Sequence, residues 1–183
     1  MGSDKFQLRL PDNSLLWVRL AKELEQAFNK EDIYISFHDQ QQRARADVPS
    51  DCQYQIVYDQ LSEVGPAAGL LSAYSTDTEA YWVVLACDYP LMSRLELSRL
   101  FHKFEEPVTC FENLEGFVEP LIGIWSPSAL RMLVENVRHG HCSPTKAFRQ
   151  LRGKTVLPLN PQSLLNVNTP AEWEGALQLL GCL

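Results

Sequence analysis

Two acidic residues follow short apolar segments, at positions where strands of an α/β sheet would end. Asp59 comes after the segment 55–58, and Asp88 comes just after the unbroken apolar run 81–86. Ligands in open α/β sheets bind beyond the carboxyl ends of the strands. Because Mg²⁺ usually takes one or two carboxylates together with phosphate oxygens, Asp59 and Asp88 could hold a magnesium–nucleotide complex. For Asp88, the alternative interpretation is a turn aspartate before Pro90.

Two asparagines near the end of the sequence could bind a second polar ligand. Asn166 and Asn168 precede a predicted helix, in which Thr169 is the cap, Pro170 is the first residue and Glu172 completes a capping box. The free N–H groups at a helix start favour an anionic group nearby. The alternative role of both asparagines is in the turn and the cap, without any ligand.

Two other groups of residues give weaker functional signals. The segment His139-Gly140-His141-Cys142 has metal-ligand residue types, but no fourth ligand stands at a useful spacing and the composition is typical of a helix end. Arg43 and Arg45 could contact a phosphate, although a solvated surface is the simpler interpretation. The sequence contains no complete P-loop motif, so P-loop chemistry is not predicted.

The composition limits the class of protein. The chain has 183 residues, of which 45% are hydrophobic and 21% are charged, and this predicts one folded globular domain. Its net charge of −7 argues against a general nucleic-acid binder, which needs clustered Lys and Arg. Five cysteines without a C-x-x-C pair predict reduced thiols and a cytoplasmic location. No apolar run is long enough to cross a membrane, so no membrane association is expected.

The elements that must position these residues alternate between strands and helices. The apolar run 81–86 predicts a strand buried on both faces, as in a parallel sheet. Asn13 or Ser14 is predicted to cap a first helix, and Ser93 with Glu96 forms a capping-box pattern. The alternation predicts an α/β fold with a mostly parallel sheet in one domain. The other predicted strands are 33–37, 55–58, 108–111 and 155–159, and a second apolar stretch, 118–125, is interrupted by Pro120 and Gly123. Later helices begin at Ser126-Pro127, Ser143-Pro144 and Thr169-Pro170.

Taken in order, five segments resemble the molybdenum cofactor guanylyltransferases and the wider MobA-like nucleotidyltransferase group. Leu85-Ala86-Cys87-Asp88-Tyr89-Pro90 is similar to the family's Leu-x-Cys-Asp-Met-Pro metal motif. Asn166-Val167-Asn168-Thr169-Pro170, followed by Glu172, is similar to its Asn-x-Asn-Thr-Pro-Glu-Asp motif. The resemblance implies a three-layer, Rossmann-like fold of nucleotide-diphospho-sugar transferase type. The other matching segments are Met1-Gly2-Ser3-Asp4-Lys5, Asp59 with Gly65-Pro66-Ala67-Ala68-Gly69, and Glu119-Pro120-Leu121-Ile122-Gly123-Ile124-Trp125.

The resemblance also implies a reaction and a role for each matching residue. The terminal phosphate of molybdopterin would attack the α-phosphate of GTP, and pyrophosphate would leave. Lys5 would neutralise triphosphate charge and Asp88 would bind Mg²⁺, so these two residues would be the catalytic ones. Asp59 would help to hold the nucleoside, and Asn166 and Asn168 would face the pterin substrate. The implied partners are GTP, molybdopterin or a related phosphorylated acceptor, and other proteins of molybdenum cofactor biosynthesis.

The sequence departs from the family pattern in two places. His38 stands about where the family has an asparagine that touches the nucleotide, which affects the choice of base. The strand and glycine-rich loop that precede the family's Met-Gly-x-Asp-Lys do not precede Met1, so the domain is expected to be N-terminally truncated. Without that strand, the predicted strands 33–37 and 81–86 must either pair directly or leave a gap. We therefore expect weak GTP binding and marginal stability.

Two alternative functions stay open on the sequence alone. The first is a nucleotidyltransferase that acts on another phosphorylated acceptor, such as a sugar phosphate or a cytosine-type cofactor precursor. The second is a non-catalytic accessory protein that keeps the fold without the nucleotide loop.

Overall fold

Strands and helices alternate through most of the structure. It is a computed structural model that describes residues 5–46, 48, 52–61 and 64–181, so the Met1 to Asp4 part of the family-like opening segment lies outside the described residues. The strands are β1 (Tyr34–Phe37), β2 (Gln55–Tyr58), β3 (Trp82–Leu85), β4 (Val108–Glu112), β5 (Val118–Trp125) and β6 (Lys154–Val156). The helices are α1 (Leu16–Leu24), α2 (Gln40–Arg45), α3 (Ala67–Thr76), α4 (Arg94–His102), α5 (Pro127–Arg138), α6 (Pro144–Gln150) and α7 (Pro170–Leu180).

The strands belong to two separate sheets. β1 and β2 pair in parallel, and a four-stranded sheet has the order β3-β5-β4-β6. In the larger sheet, β5 is antiparallel to both β3 and β4, whereas β4 and β6 are parallel. The α/β class is confirmed, but the pairings are evenly divided rather than mostly parallel. β5 runs antiparallel because it follows β4 after a short turn, in which the Asn113 N–H donates to the Phe117 carbonyl at 2.9 Å.

Strand β3 lies where the sequence predicts a strand, but its surroundings differ from the prediction. The expectation is burial on both faces in a parallel sheet, whereas all four residues of β3 are half-buried and pair antiparallel with β5. Among the described residues, β3 is paired on one edge only, and its other edge borders a groove between the two sheets. Of the two arrangements expected for β1 and β3, the structure therefore has the open gap.

The predicted helix starts are confirmed at the three later helices. The side chains of Ser126, Ser143 and Thr169 each accept a hydrogen bond from an N–H in the first turn of α5, α6 or α7. At α7 the capping box is complete, because Glu172 also accepts from the Thr169 N–H at 2.9 Å. This cap fixes the start of α7 directly after Asn166 and Asn168.

The predicted start of α1 is wrong. Neither Asn13 nor Ser14 caps this helix, which begins after Leu15 without a side-chain cap. The preceding chain folds back on itself, and the Leu16 N–H donates to the Leu8 carbonyl at 2.9 Å. This main-chain bond satisfies a donor that a capping side chain would otherwise take.

The predicted capping box at α4 is also wrong, because Glu96 turns into the core. Ser93 precedes the helix but makes no capping hydrogen bond. Glu96 is 2% exposed, and its carboxylate accepts from the N–H groups of Leu159 at 2.9 Å and Asn160 at 2.8 Å. It also accepts from Ser163 Oγ at 3.2 Å. This carboxylate therefore holds the segment after β6 against α4 by hydrogen bonds.

Helices cover both faces of the four-stranded sheet. One core cluster packs residues of α1, α4 and α7 on one face, and a second packs residues of α3, α5 and α6 on the other. The structure thus has the three layers that the resemblance implies. None of the described helices is long and apolar enough to cross a membrane. A third, smaller cluster lies by the two-stranded sheet and contains Phe6, Leu15, Trp17, Phe37 and Ala46.

Candidate active site

Lys5 and Asp88 form an ion pair at the carboxyl end of β3. Lys5 Nζ lies 2.7 Å from Asp88 Oδ2, and the two side chains are 31% and 17% exposed. Lys5 Nζ also donates to Asn168 Oδ1 at 2.6 Å. Burial of Phe6, the next residue, anchors the short 3-10 turn Lys5–Gln7. Folding thus brings together three predicted site residues that are far apart in the sequence.

The segment with the two asparagines is attached to the end of β3 through its main chain. The Val167 N–H donates to the Asp88 carbonyl at 3.0 Å. Asn166 Nδ2 donates to Asp88 Oδ2 at 3.2 Å, so the same carboxylate oxygen receives both Lys5 and Asn166. On the other side, the Asn168 N–H donates to Glu172 Oε2 at 2.7 Å. Hydrogen bonds from the backbone N–H groups of Asn168 and Thr169 lower the pKa of Glu172, so this cap is ionised at neutral pH.

Two buried oxygen atoms of this cluster have no hydrogen-bond partner among the described residues. They are Asp88 Oδ1 and Asn166 Oδ1, and both residues line a cavity of about 630 Å³. Carboxylate and amide oxygens are ligands that suit Mg²⁺, which usually completes its shell with phosphate oxygens and water. Among the described residues, no three His, Cys, Asp or Glu side chains form a metal-binding group. The donor set therefore fits a metal that arrives with phosphates better than a closed protein site.

Tyr89 and Glu119 extend the cluster along the cavity. Tyr89 is 3% exposed, and its hydroxyl donates to Glu119 Oε2 at 2.6 Å. Burial and this hydrogen bond raise the pKa of Tyr89, so the phenol stays protonated as a donor. Both residues belong to family-like segments of the sequence, but the sequence alone predicts no role for either of them. A glutamate inside the apolar strand β5 and a tyrosine between Asp88 and Pro90 were the available signals.

Asp59 and His38 form a second, separate group at the ends of β2 and β1. Asp59 Oδ2 lies 3.5 Å from His38 Nδ1, and Asp59 Oδ1 accepts a hydrogen bond from Ser36 Oγ at 3.4 Å. The Asp59 N–H donates to the Phe37 carbonyl at 2.9 Å, which continues the parallel pairing. Asp59 and Asp88 therefore belong to different hydrogen-bonded groups, each at the end of its own sheet.

Two residues from the weaker sequence signals, His139 and Arg43, make contacts within the protein. His139 ends α5, and its Nδ1 lies 2.8 Å from the Glu135 carbonyl in the same helix. Arg43 is exposed, and its Nη1 donates to the Tyr58 hydroxyl at 3.2 Å.

Cys87 is a free thiol beside Asp88, and burial raises its pKa to about 11. At neutral pH Cys87 is therefore a thiol rather than a nucleophilic thiolate.

A comparison with known protein families matches residues 1–154 to the MobA-like NTP transferase domain. A probable molybdenum cofactor guanylyltransferase from Thermococcus sibiricus is 30% identical over 137 residues, which are 69% of this chain and 69% of that protein. A probable molybdenum cofactor guanylyltransferase from Carboxydothermus hydrogenoformans is 30% identical over 132 residues, 68% of this chain and 66% of that protein. A molybdenum cofactor biosynthesis bifunctional protein from Synechocystis is 29% identical over 119 residues, 63% of this chain but only 34% of that protein.

Solved structures show the same fold. The molybdopterin-guanine dinucleotide biosynthesis protein A of Archaeoglobus fulgidus has a TM-score of 0.78 and 19% identity, covering 100% of this chain and 93% of that one. The 2-C-methyl-D-erythritol 4-phosphate cytidylyltransferase of Thermus thermophilus has a TM-score of 0.70 and 12% identity, covering 98% and 94%. At these identities the likeness establishes the architecture, and it confirms the predicted nucleotidyltransferase fold.

Proposed function

We propose, from the premise that the chain belongs to the MobA-like NTP transferase family, that it transfers GMP from GTP to molybdopterin. The observation that carries this proposal is the cluster of Lys5, Asp88, Asn166 and Asn168. It brings a cation, a carboxylate and two amides together at the edge of one cavity, with two buried oxygen atoms still able to accept a ligand. Two relatives at 30% identity are named probable molybdenum cofactor guanylyltransferases, and these names support the choice of the guanylyl group and the pterin acceptor.

In this proposal, the cluster acts on phosphates by position and charge. Asp88 and the amide oxygen of Asn166 would hold Mg²⁺, which supplies charge neutralisation on the triphosphate. Lys5 would turn from Asp88 to a phosphate oxygen, because its ammonium is a flexible point charge with three donors. An oxygen of the acceptor's phosphate forms a bond to the α-phosphorus of GTP, and the bond from that phosphorus to the bridging oxygen of the β-phosphate breaks. Pyrophosphate carries away the electron pair.

The acceptor would lie on the Asn168 side of the cluster and along the cavity lined by Tyr89 and Glu119. Asn168 contacts Lys5 directly, so the acceptor and the triphosphate would meet at one ammonium group. The nucleoside would lie toward Asp59 and His38, where the imidazole replaces the amide expected from the family pattern. A cytoplasmic location and contact with other molybdenum cofactor biosynthesis proteins belong to the same proposal.

The test is a product assay with GTP, Mg²⁺ and molybdopterin, in which the guanine dinucleotide and pyrophosphate are quantified together. We expect both products in equal amounts, and we expect Asp88→Asn to reduce them by about a hundredfold or more because a ligand of the proposed Mg²⁺ is lost. Glu174→Gln, which changes an exposed carboxylate on α7, is the matched control and should leave the yield unchanged.

Two results of the assay would overturn the proposal. Pyrophosphate release with CTP and a sugar or polyol phosphate, but none with GTP and molybdopterin, would support a different acceptor. No product with any nucleotide, from a folded protein, would support the non-catalytic alternative.

A substitution of Asn168 tests whether this residue serves the acceptor rather than GTP. Asn168→Ala should weaken binding of the acceptor more than binding of GTP. Equal weakening of both ligands would mean that Asn168 acts mainly by holding Lys5.

A further inference from the structure

The cavity beside Asp88 has a second acidic residue, Glu119, on its wall. Asp88, Tyr89, Glu119 and Asn166 all line this one cavity. The Tyr89 hydroxyl donates to Glu119 Oε2 at 2.6 Å, whereas Glu119 Oε1 has no hydrogen-bond partner among the described residues. Each carboxylate oxygen has two lone pairs, so Oε2 can accept a second hydrogen bond. The half-buried Glu119 carboxylate can therefore accept two hydrogen bonds side by side from a ligand.

The backbone of Glu119 is held by strands on both sides. On one side Glu119 pairs with Phe111 of β4. On the other, the antiparallel pairing of β3 with β5 ends where the Ala86 N–H donates to the Leu121 carbonyl at 2.9 Å. Two residues beyond this bond are Asp88 in one segment and Glu119 in the other, which explains why both line the same cavity. A side chain on a paired strand is held in the fixed position that a specificity-determining group requires.

Apolar side chains form much of the remaining cavity wall. A mainly apolar wall with a few fixed polar groups is typical of a site for a small organic ligand. The volume of about 630 Å³ lies within the usual range for such sites. The apolar lining residues are Val64, Pro66, Ala86, Pro120, Leu121 and Pro144.

The two acceptor positions of Glu119 are complementary to an aminopyrimidinone ring. Such a ring presents a ring N–H and an exocyclic amino group side by side, and both groups are donors. Paired hydrogen bonds to a carboxylate are charge-assisted, and their geometry makes them specific. The pterin ring has this edge, and the guanine base of GTP has the same one.

We propose that Glu119 determines the specificity for the acceptor by binding both donors of its aminopyrimidinone ring, and that Tyr89 is a positioning residue that holds the Glu119 carboxylate. The inference rests on the proposed function, which puts the acceptor along this cavity and the nucleoside toward Asp59 and His38. Those two residues lie at the other sheet, whereas Glu119 lines the cavity of the Asp88 group. We therefore assign Glu119 to the pterin ring rather than to guanine.

The experiment measures binding of 6-hydroxymethylpterin and 6-hydroxymethyllumazine by equilibrium dialysis, with the fluorescence of each probe as the readout. In lumazine an oxygen replaces the exocyclic amino group, so one donor of the ring edge becomes an acceptor. The proteins are wild type, Glu119→Gln, Tyr89→Phe and the matched control Glu112→Gln, which changes a β4 glutamate outside the lining of this cavity. Both probes lack phosphate, and the buffer contains EDTA and no GTP. The measurement is therefore independent of metal binding and of nucleotide transfer.

We expect wild type and Glu112→Gln to bind the pterin about tenfold or more tightly than the lumazine, because the lumazine oxygen would meet a carboxylate. Glu119→Gln should reverse this order, since its amide offers one donor to the lumazine oxygen and keeps one acceptor for the ring N–H. A variant that fails to fold would lose both probes and could not give a reversal. Tyr89→Phe should weaken pterin binding but keep the preference for pterin, as expected of a positioning residue.

Three outcomes would overturn the proposal. The first is a wild-type protein that binds no pterin or binds both probes equally, and this result needs no variant. The second is a folded Glu119→Gln protein with the wild-type preference, in which case Glu119 is only a structural partner of Tyr89. The third comes from a parallel titration with GTP and xanthosine triphosphate. If Glu119→Gln changes the preference between these nucleotides and leaves pterin binding unchanged, Glu119 serves the base of the nucleotide. None of these results decides whether GMP is transferred, which the product assay measures separately.

Discussion

The four-stranded sheet and the two-stranded sheet differ in how well the rest of the molecule supports them. Helices pack on both faces of the larger sheet, where its core includes fully buried side chains such as Ile122, Trp125 and Leu130. The two-stranded sheet has a smaller cluster, and all but one of its eight strand residues are half-buried or exposed. The same division runs through the candidate site. Asp88 and Asn166 lie at the well-supported four-stranded sheet, whereas His38 and Asp59 lie at the less supported two-stranded sheet.

This difference suggests how the site is organised. The groups expected to act on phosphates need fixed positions, because a small displacement lowers the rate of a positioned reaction. Those groups are held by the main-chain contact between Val167 and Asp88 and by the capping box of α7. The group expected to bind the nucleoside depends on a sheet with an open edge. We infer that nucleoside binding is the more sensitive of the two functions to the state of the groove.

The largest predicted effect is a difference in the free energy of unfolding between two variants, in which one isoleucine of each sheet is replaced. Ile122 of β5 is completely buried, and Ile122→Ala should lower the free energy of unfolding by about 2–5 kcal/mol, because it leaves a cavity in a packed core. Ile56 of β2 is half-buried, and Ile56→Ala should cost clearly less. Urea denaturation of both variants measures this. Equal losses would contradict the view that the larger sheet carries most of the stability.

The next effect concerns the buried carboxylate that fastens the segment after β6. Glu96→Gln keeps the shape but puts an amide nitrogen where one carboxylate oxygen accepts hydrogen bonds. We expect a loss of about 1–3 kcal/mol in the free energy of unfolding. Glu115→Gln, on an exposed turn, is the control and should stay within about 0.5 kcal/mol of wild type. If thermal unfolding of Glu96→Gln and Glu115→Gln has the same midpoint, Glu96 does not hold the segment after β6.

The smallest effect is a difference between two free thiols. Cys87 lines the groove, and burial raises its pKa to about 11, whereas Cys110 is fully buried between the strands of the larger sheet. Because the thiolate is the reactive form, alkylation of Cys87 should accelerate about tenfold per pH unit from pH 7 toward its pKa. Cys110 should react only on unfolding. Mass spectrometry after timed alkylation separates the two, and a Cys87 rate that levels off near pH 8 would contradict the assignment.

Local sequence signals predicted the positions of most elements. β2 has the bounds that were predicted, and β5 coincides with the apolar stretch 118–125 in spite of Pro120 and Gly123. Ser126 and Thr169 cap their helices as expected, since a cap followed by proline restricts the chain locally. The capping-box pattern at Ser93 failed because the same spacing also allows Glu96 to turn inward. Only the later segment 159–163, which supplies its donors, decides between these two outcomes.

The candidate site was predictable in its members but not in its contacts. The family-like segments pointed to Lys5, Asp88, Asn166 and Asn168, yet nothing in the sequence shows that Lys5 contacts both Asp88 and Asn168. Those pairs are 83 and 163 residues apart, so only the folded chain determines them. The separation of Asp59 from Asp88 is likewise a consequence of the two sheets. The positions of the strand ends in the sequence do not show that the two strands belong to different sheets.

The central claim is that Asp88 belongs to a metal-dependent phosphate site, and calorimetric titration with GTP tests it most directly. The titration is run with and without Mg²⁺ on wild type, Asp88→Asn and the control Glu174→Gln, up to millimolar GTP because binding is expected to be weak. We predict that Mg²⁺ raises the GTP affinity of wild type and of Glu174→Gln, and that Asp88→Asn loses this increase while its thermal midpoint stays close to wild type. An Asp88→Asn protein whose GTP affinity rises with Mg²⁺ as in wild type would contradict the claim.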